Sequence, residues 1–144
     1  MQTIKVSDQF SVAKQPEAPA YAELAAQGFT TLINNRPDGE DAAQPGTVRE
    51  AMAAGEAGLA YVHIPVSMGS IREADVRRFQ AVLQASGGPV VAHCKSGTRS
   101  LTLWSIGEVL DGRMAAADLH AFGAQHGIDL RGAVGWLAQH AGRG

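Results

Sequence analysis

The sequence predicts an α/β fold in which a central, mostly parallel sheet is flanked by helices. Runs of strand length alternate along the chain with segments of helical periodicity. The run 89–94 is apolar and of strand length, which is typical of a strand covered on both faces. At 144 residues and 45% hydrophobic content, the chain is expected to form one domain over residues 1–144.

The first half of the chain supplies the outer elements of this prediction. Strands over 4–6 and 10–13 are expected to form an edge hairpin, followed by a helix over 16–28 and a strand over 29–35. A second helix is predicted over 47–57, with an apolar stripe of Val48, Met52 and Ala53. A further strand is expected over 59–66.

The second half starts with the clearest helical pattern. Ser70 and Glu73 match a capping box, and Glu73 is spaced for an ion pair with Arg77. The strand that ends at Cys94 is followed by a helix that begins at Arg99. Two more helices, over 115–125 and 130–140, complete the prediction.

Charge and cysteine content exclude several classes. With 12 basic and 14 acidic residues the net charge is −2, which gives no sign of a nucleic-acid or membrane-surface partner. The sequence has no signal-like start and no run of ~18 apolar residues, so a cytoplasmic protein is expected. A single cysteine excludes an internal disulfide and a multi-thiolate zinc cluster. The histidines show no metal-ligand spacing, and neither a metal nor a cofactor is predicted.

The chemistry is predicted to lie in the loop that starts at Cys94. A thiolate is a nucleophile, and a helix N-terminus beside cations stabilises it. Cys94 and Arg99 are therefore the candidate catalytic residues, because a guanidinium can hold an oxyanion with two parallel hydrogen bonds. The candidate anion-binding residues are Lys95, Ser96, Gly97, Thr98 and Ser100, the last as a hydrogen-bond donor to the thiolate or a helper of the leaving group. The alternative is a buried structural cysteine followed by a basic surface turn.

These residues resemble known families. His93-Cys94-x-x-Gly97 and Arg99-Ser100 resemble the signature of protein tyrosine and dual-specificity phosphatases, as do the segments 32–37 and 61–66. The loop is one residue shorter than in those enzymes and matches the rhodanese pattern Cys-Arg-x-Gly-x-Arg, with Lys95 in place of an arginine. This combination is similar to the bacterial beta-lactamase hydrolase-like, phosphatase-like domain family, which includes sulfurtransferases and phosphatases. The resemblance implies a dual-specificity/tyrosine phosphatase-like fold, and it gives His93 a role in supporting the loop.

The length of the loop that starts at Cys94 favours sulfur transfer over phosphate hydrolysis. A contracted ring of N–H groups suits a terminal sulfur, and residues 67–69 lack the carboxylate that protonates an alkoxide in the resembled phosphatases. Asp38, Glu40 or Asp41 could replace that acid, or could belong to a solvated turn. Arg36 either faces the same crevice or lies at the surface.

The predicted reaction follows from this choice. Cys94 takes the outer sulfur of thiosulfate or a persulfide and passes it to a thiol acceptor or cyanide. One alternative is a phosphatase that forms a phosphocysteine at Cys94, and another is a non-catalytic oxyanion-binding module. The expected partners are accordingly a small sulfur-containing or phosphorylated anionic substrate and a thiol acceptor.

Overall fold

A five-stranded sheet runs through the centre of the computed structural model, which describes residues 1–140. The strands are β1 (Ile4–Ser7), β2 (Phe10–Ala13), β3 (Thr31–Asn34), β4 (Ala60–His63) and β5 (Val90–His93). Their order across the sheet is β1-β2-β5-β3-β4. Only the β1–β2 pair is antiparallel, and the other three pairs are parallel. The predicted mostly parallel sheet is confirmed.

Six α-helices surround the sheet in the described range. They are α1 (Ala20–Ala26), α2 (Thr47–Glu56), α3 (Glu73–Ala85), α4 (Thr98–Leu110), α5 (Leu119–Gln125) and α6 (Arg131–His140), with short 3₁₀ turns at Met68–Ser70 and Ala116–Asp118. The predicted helix over 115–125 is therefore divided, and α4 starts one residue before Arg99. Among residues 1–140, no helix combines the length and apolar character needed to cross a bilayer.

Two apolar cores cover the two faces of the sheet. Alternate strand residues point to opposite faces, so Ile33 and Ala92 pack in a large core with residues of α3 to α6, while Leu32 and Val91 pack in a smaller one. The smaller core is completed from α1 and α2, for example by Leu24. Helices on both faces are what a parallel sheet requires.

The predicted hairpin forms, but only one of its strands is an edge. β1 lies at the edge of the sheet and pairs with β2, and β2 continues the sheet by pairing with the central strand β5. All four residues of β2 are buried. Its apolar residues Phe10 and Val12 enter the larger core, which explains the inner position of this strand.

The predicted apolar stripe of α2 is wrong. Val48 and Met52 are 72% and 63% exposed, and Ala53 is only partly buried. The buried face of α2 carries Glu50 and Ala54 instead. This orientation is possible because the Glu50 carboxylate finds hydrogen-bond donors inside the protein.

The predicted capping box of α3 is also displaced. Ser70 lies in the preceding 3₁₀ turn, and the residue before the helix is Arg72 in extended conformation. The Asp75 carboxylate accepts a hydrogen bond from the Arg72 backbone N–H at 3.0 Å and so satisfies the helix start. The predicted Glu73–Arg77 ion pair is present, with 3.4 Å between Oε2 and Nε.

Candidate active site

The register of the sheet brings four strand ends to one edge. Ala13 pairs with His93, His93 with Asn34, and Asn34 with His63, so the last residues of β2, β5, β3 and β4 are level. The loops that follow these strands leave on the same side. This carboxyl edge is where ligands bind in open α/β sheets.

Cys94 is the first residue after the central strand β5, and it is 1% exposed. The Gly97 backbone N–H donates a hydrogen bond to Cys94 Sγ at 3.0 Å. This contact needs the left-handed backbone of Gly97, with φ of 100°, which residues with a side chain rarely adopt. α4 begins at the next residue, so the sulfur lies at a helix N-terminus, where negative charge is stabilised.

Arg99 faces both the cysteine and the loop after β3. Its Nη1 donates to Glu40 Oε2 at 2.6 Å and to the Val66 carbonyl oxygen at 3.0 Å, and its Nη2 donates to Glu40 Oε1 at 2.9 Å. The hydrogen bond to Glu40 is the main cause that raises the pKa of Arg99; burial opposes it, and the charge of Cys94 adds to the increase. The guanidinium hydrogen bonds lower the pKa of Glu40 to about 2, with Arg99 making the largest contribution.

The other predicted loop residues differ in exposure. Lys95 and Ser96 have exposed side chains, and Ser96 Oγ lies 3.3 Å from Thr98 Oγ1. The Lys95 carbonyl oxygen accepts the Gln15 backbone N–H at 3.2 Å, which ties the loop to the segment after β2. The structure therefore brings the predicted loop residues together at one edge.

The Ser100 prediction needs a correction. Ser100 is buried, and its hydroxyl donates to Asn35 Oδ1 at 2.8 Å instead of to the thiolate. The Asn35 side chain in turn donates to the Ile64 carbonyl oxygen at 2.9 Å. Ser100 thus links α4 to the strand ends beside it. Its hydroxyl hydrogen is engaged by Asn35 and does not point to the thiolate.

Arg36 is not a surface residue, because it is only 3% exposed. Its Nε donates to Glu40 Oε1 at 3.0 Å and its Nη1 to Gln15 Oε1 at 3.1 Å. Asp38 Oδ1 accepts the Thr47 backbone N–H at 2.8 Å at the start of α2. Of the three acids predicted in this loop, Glu40 is the one that contacts Arg99.

The His93 side chain is fully buried, and it contacts the backbone where the loop begins. Its Nδ1 lies 3.0 Å from the Cys94 carbonyl oxygen, and its Nε2 lies 2.7 Å from Glu50 Oε2. Sequence reasoning missed Glu50. The available signal was its helical spacing to Ala53, Ala54 and Ala57, which marks an inward face of small residues.

A cavity of about 640 Å³ opens beside the loop. It lies between the segment after β2, the loop after β3 and the start of α2. Its charged lining includes the cations Arg36, Arg49 and Lys95 and the carboxylates Glu17 and Asp41, and the rings of Tyr21 and Pro45 also line it. A cavity of this size can hold a small organic group.

Fold and site together define a class. A parallel sheet of this order, with a cysteine after its central strand and an arginine in the first turn of the next helix, is the α/β fold of tyrosine and dual-specificity phosphatases. Residues 3–111 match the family described as beta-lactamase hydrolase-like protein, phosphatase-like domain. The chain belongs to that family.

Relatives with this description are long proteins. The beta-lactamase hydrolase-like proteins of Agrobacterium fabrum and Xylella fastidiosa are 47% and 43% identical to this chain over 141 residues, or 98% of it. The chain spans about 33% of the length of these relatives.

Solved structures share the fold. A Neisseria meningitidis protein described as a candidate phosphatase has a TM-score of 0.84 and 27% identity, over 93% of this chain and 94% of its own. P. aeruginosa TpbA in complex with pTyr has a TM-score of 0.66 and 22% identity, over 87% and 72%. These comparisons support the phosphatase alternative. They give no support to sulfur transfer, which is the main prediction from the sequence.

Proposed function

We propose that this chain is a cysteine-dependent phosphatase that hydrolyses small phosphomonoesters through a phosphocysteine at Cys94. The observation that carries the proposal is the position of Cys94 Sγ: it accepts the Gly97 N–H at the start of α4 and lies in the field of the Arg99 guanidinium. Membership of the phosphatase-like family supports the same chemistry.

The reaction has two displacements at phosphorus. The Cys94 thiolate attacks the phosphorus atom, the bond to the ester oxygen breaks, and the electron pair leaves with that oxygen. Backbone N–H groups of residues 95–99 and the Arg99 guanidinium stabilise the charge on the non-bridging oxygens. Water then attacks phosphorus, the P–S bond breaks, and the thiolate and inorganic phosphate are released.

The leaving oxygen receives little help from carboxylic acids near the site. Residues 67–69 contain no carboxylate. Glu40 is ionised at neutral pH because its pKa is about 2. Asp38 is hydrogen-bonded at the start of α2, and Asp41 accepts the Ala43 backbone N–H at 3.0 Å and lies 3.9 Å from Arg36 Nη2. A phenol leaves without a proton more readily than an alkyl alcohol, so aryl phosphates are the favoured substrate class.

The cavity beside Lys95 supports an organic group on the substrate. The rings of Tyr21 and Pro45 in its lining suit an aromatic group attached to the phosphate. The complex of TpbA with pTyr is an example of such a ligand on the same fold.

The test is hydrolysis of p-nitrophenyl phosphate by the wild type and by Cys94→Ser. We expect turnover by the wild type, a mass increase of one phosphoryl group on rapid quenching, and loss of both in the variant. Arg113→Lys is the matched control, because Arg113 lies beyond the far end of the 13-residue α4.

A thiosulfate-to-cyanide assay in parallel separates the alternatives. Sulfur transfer without phosphate release would overturn the proposal in favour of a sulfurtransferase. Phosphate binding without turnover of either substrate would overturn it in favour of a binding module.

A further inference from the structure

Glu50 is a buried carboxylate at the centre of a hydrogen-bond network behind the loop. It is 1% exposed and lies on the inner face of α2. Four side chains contact it: Gln15 Nε2 at 2.7 Å and the Tyr21 hydroxyl at 2.9 Å on Oε1, and the Tyr61 hydroxyl at 2.9 Å and His93 Nε2 at 2.7 Å on Oε2. The network joins α1, α2, β4 and β5.

The surrounding contacts fix which of these groups donate. The Gln15 oxygen accepts from Arg36, so its amide nitrogen is the atom that faces Glu50. The Tyr61 hydroxyl accepts from the Asn34 amide at 2.9 Å, so its proton is directed at Glu50. A carboxylate that accepts several hydrogen bonds is ionised. Burial raises the pKa of Glu50, but the hydrogen bond and charge of His93, together with the hydrogen bonds from Tyr21 and Tyr61, lower it overall.

His93 then has an acceptor at each ring nitrogen. Nε2 faces the ionised Glu50 carboxylate, and Nδ1 faces the Cys94 carbonyl oxygen. Neither acceptor can donate, so both contacts are hydrogen bonds only when both ring nitrogens carry a proton. The geometry therefore fits an imidazolium.

The ring contacts the backbone of the cysteine at 3.0 Å. The ring lies between Glu50 and the backbone of Cys94, so the positive end of the ion pair is directed toward the loop. Among residues 1–140, the other titratable groups that contact Glu50 are Tyr21 and Tyr61. Burial, with the nearby Glu50 charge, raises the pKa of Tyr21 and of Tyr61, and both stay neutral. On the opposite side of Cys94, Arg99 is already paired with Glu40.

We propose that Glu50 is a positioning residue: it holds His93 as an imidazolium beneath Cys94 and thereby stabilises the thiolate. The inference rests on the proposed function, because it concerns the nucleophile of that reaction. Glu50 acts through His93 and does not itself touch the substrate.

The test uses Cys94, the only cysteine in the chain, as its own reporter. The pH dependence of its alkylation by iodoacetamide is measured in the wild type, Glu50→Gln and Tyr61→Phe. The Glu50→Gln variant keeps the side-chain shape but lets His93 be neutral, so we expect the midpoint to rise by about one pH unit. Tyr61→Phe removes the hydrogen bonds of the hydroxyl to Glu50, Asn34 and Thr47 but keeps the charge of Glu50, so its midpoint should stay at the wild-type value. An unchanged midpoint in Glu50→Gln would overturn the inference.

A second measurement does not depend on the variants folding. Nitrogen chemical shifts of the His93 ring in the wild type at neutral pH should show both nitrogens protonated, and a neutral tautomer would overturn the inference. Phosphate release is followed separately. Loss of the proposed function would appear as absent hydrolysis in the wild type, whatever the state of His93.

Discussion

Glu40 binds Arg99 through both of its carboxylate oxygens, at 2.6 and 2.9 Å from Nη1 and Nη2. Nη1 also donates to the Val66 carbonyl oxygen. Of the five guanidinium hydrogens, three donate to Glu40 and Val66, and two, Nε–H and one on Nη2, do not. Glu40 and Val66 thus hold the outer side of the guanidinium, and these two donors remain for a substrate anion.

Glu40→Gln should therefore reduce catalysis. Loss of the two-oxygen ion pair frees the Arg99 side chain, which must be ordered again when substrate binds. We expect kcat/KM for p-nitrophenyl phosphate to fall about tenfold, or about 1.4 kcal/mol. A rise in kcat/KM would instead show that Glu40 competes with the phosphate for Arg99.

The same pair gives a pH-dependent contribution to stability. The pKa of Glu40 is lowered from 4.5 to about 2. A lowered carboxyl pKa stabilises the folded state fully above the unfolded value, and this stabilisation is lost as pH falls through the folded value. The free energy of unfolding should thus differ between wild type and Glu40→Gln above about pH 4.5, and the difference should shrink toward about pH 2. Urea unfolding at several pH values measures it, and a difference that grows with acidification would contradict it.

Arg99→Lys tests the planar geometry of the cation. Lysine keeps the charge but cannot contact two Glu40 oxygens and a phosphate with fixed parallel donors. We expect kcat/KM to fall about 100-fold, with Arg113→Lys unchanged. Equal activity of Arg99→Lys and wild type would mean that charge alone is needed.

Gly97→Ala tests the backbone of the loop. At φ of 100° an added Cβ strains the chain, so we expect a loss of about 1–2 kcal/mol in the free energy of unfolding. The shift of the Gly97 N–H away from Cys94 Sγ should also lower kcat. Gly55→Ala is the matched control: it lies in α2 with open space around it and should be neutral or stabilising by about 0.5–1 kcal/mol.

The leaving group gives the last prediction. Since Glu40 is ionised above about pH 2, hydrolysis rates should depend steeply on the acidity of the released phenol or alcohol. A series of substituted phenyl phosphates compared with an alkyl phosphate measures this slope. A slope near zero would show that another group protonates the leaving oxygen.

The loop could be predicted because its parts are contiguous: a buried strand, Cys94, small residues, Arg99 and a helix. The Glu50–His93 pair could not, because the two residues are 43 positions apart and a charged helical residue is usually exposed. The predicted start of α3 is wrong for a related reason. The pairs Ser70–Glu73 and Arg72–Asp75 both have the spacing of a capping box, and the 3₁₀ turn that decides between them is a tertiary feature.

The two parts of the site are expected to differ in rigidity, because β5 lies at the centre of the sheet. β5 has a hydrogen-bonded neighbour on each side, β2 and β3, so its amides should exchange with solvent only on global unfolding. One wall of the cavity beside the loop includes residues 41–45, which lie outside helices and strands. Local opening should be confined to that wall. Under the proposed function, the organic group of a substrate meets this irregular wall, and the phosphate meets the backbone donors of the loop that directly follows β5.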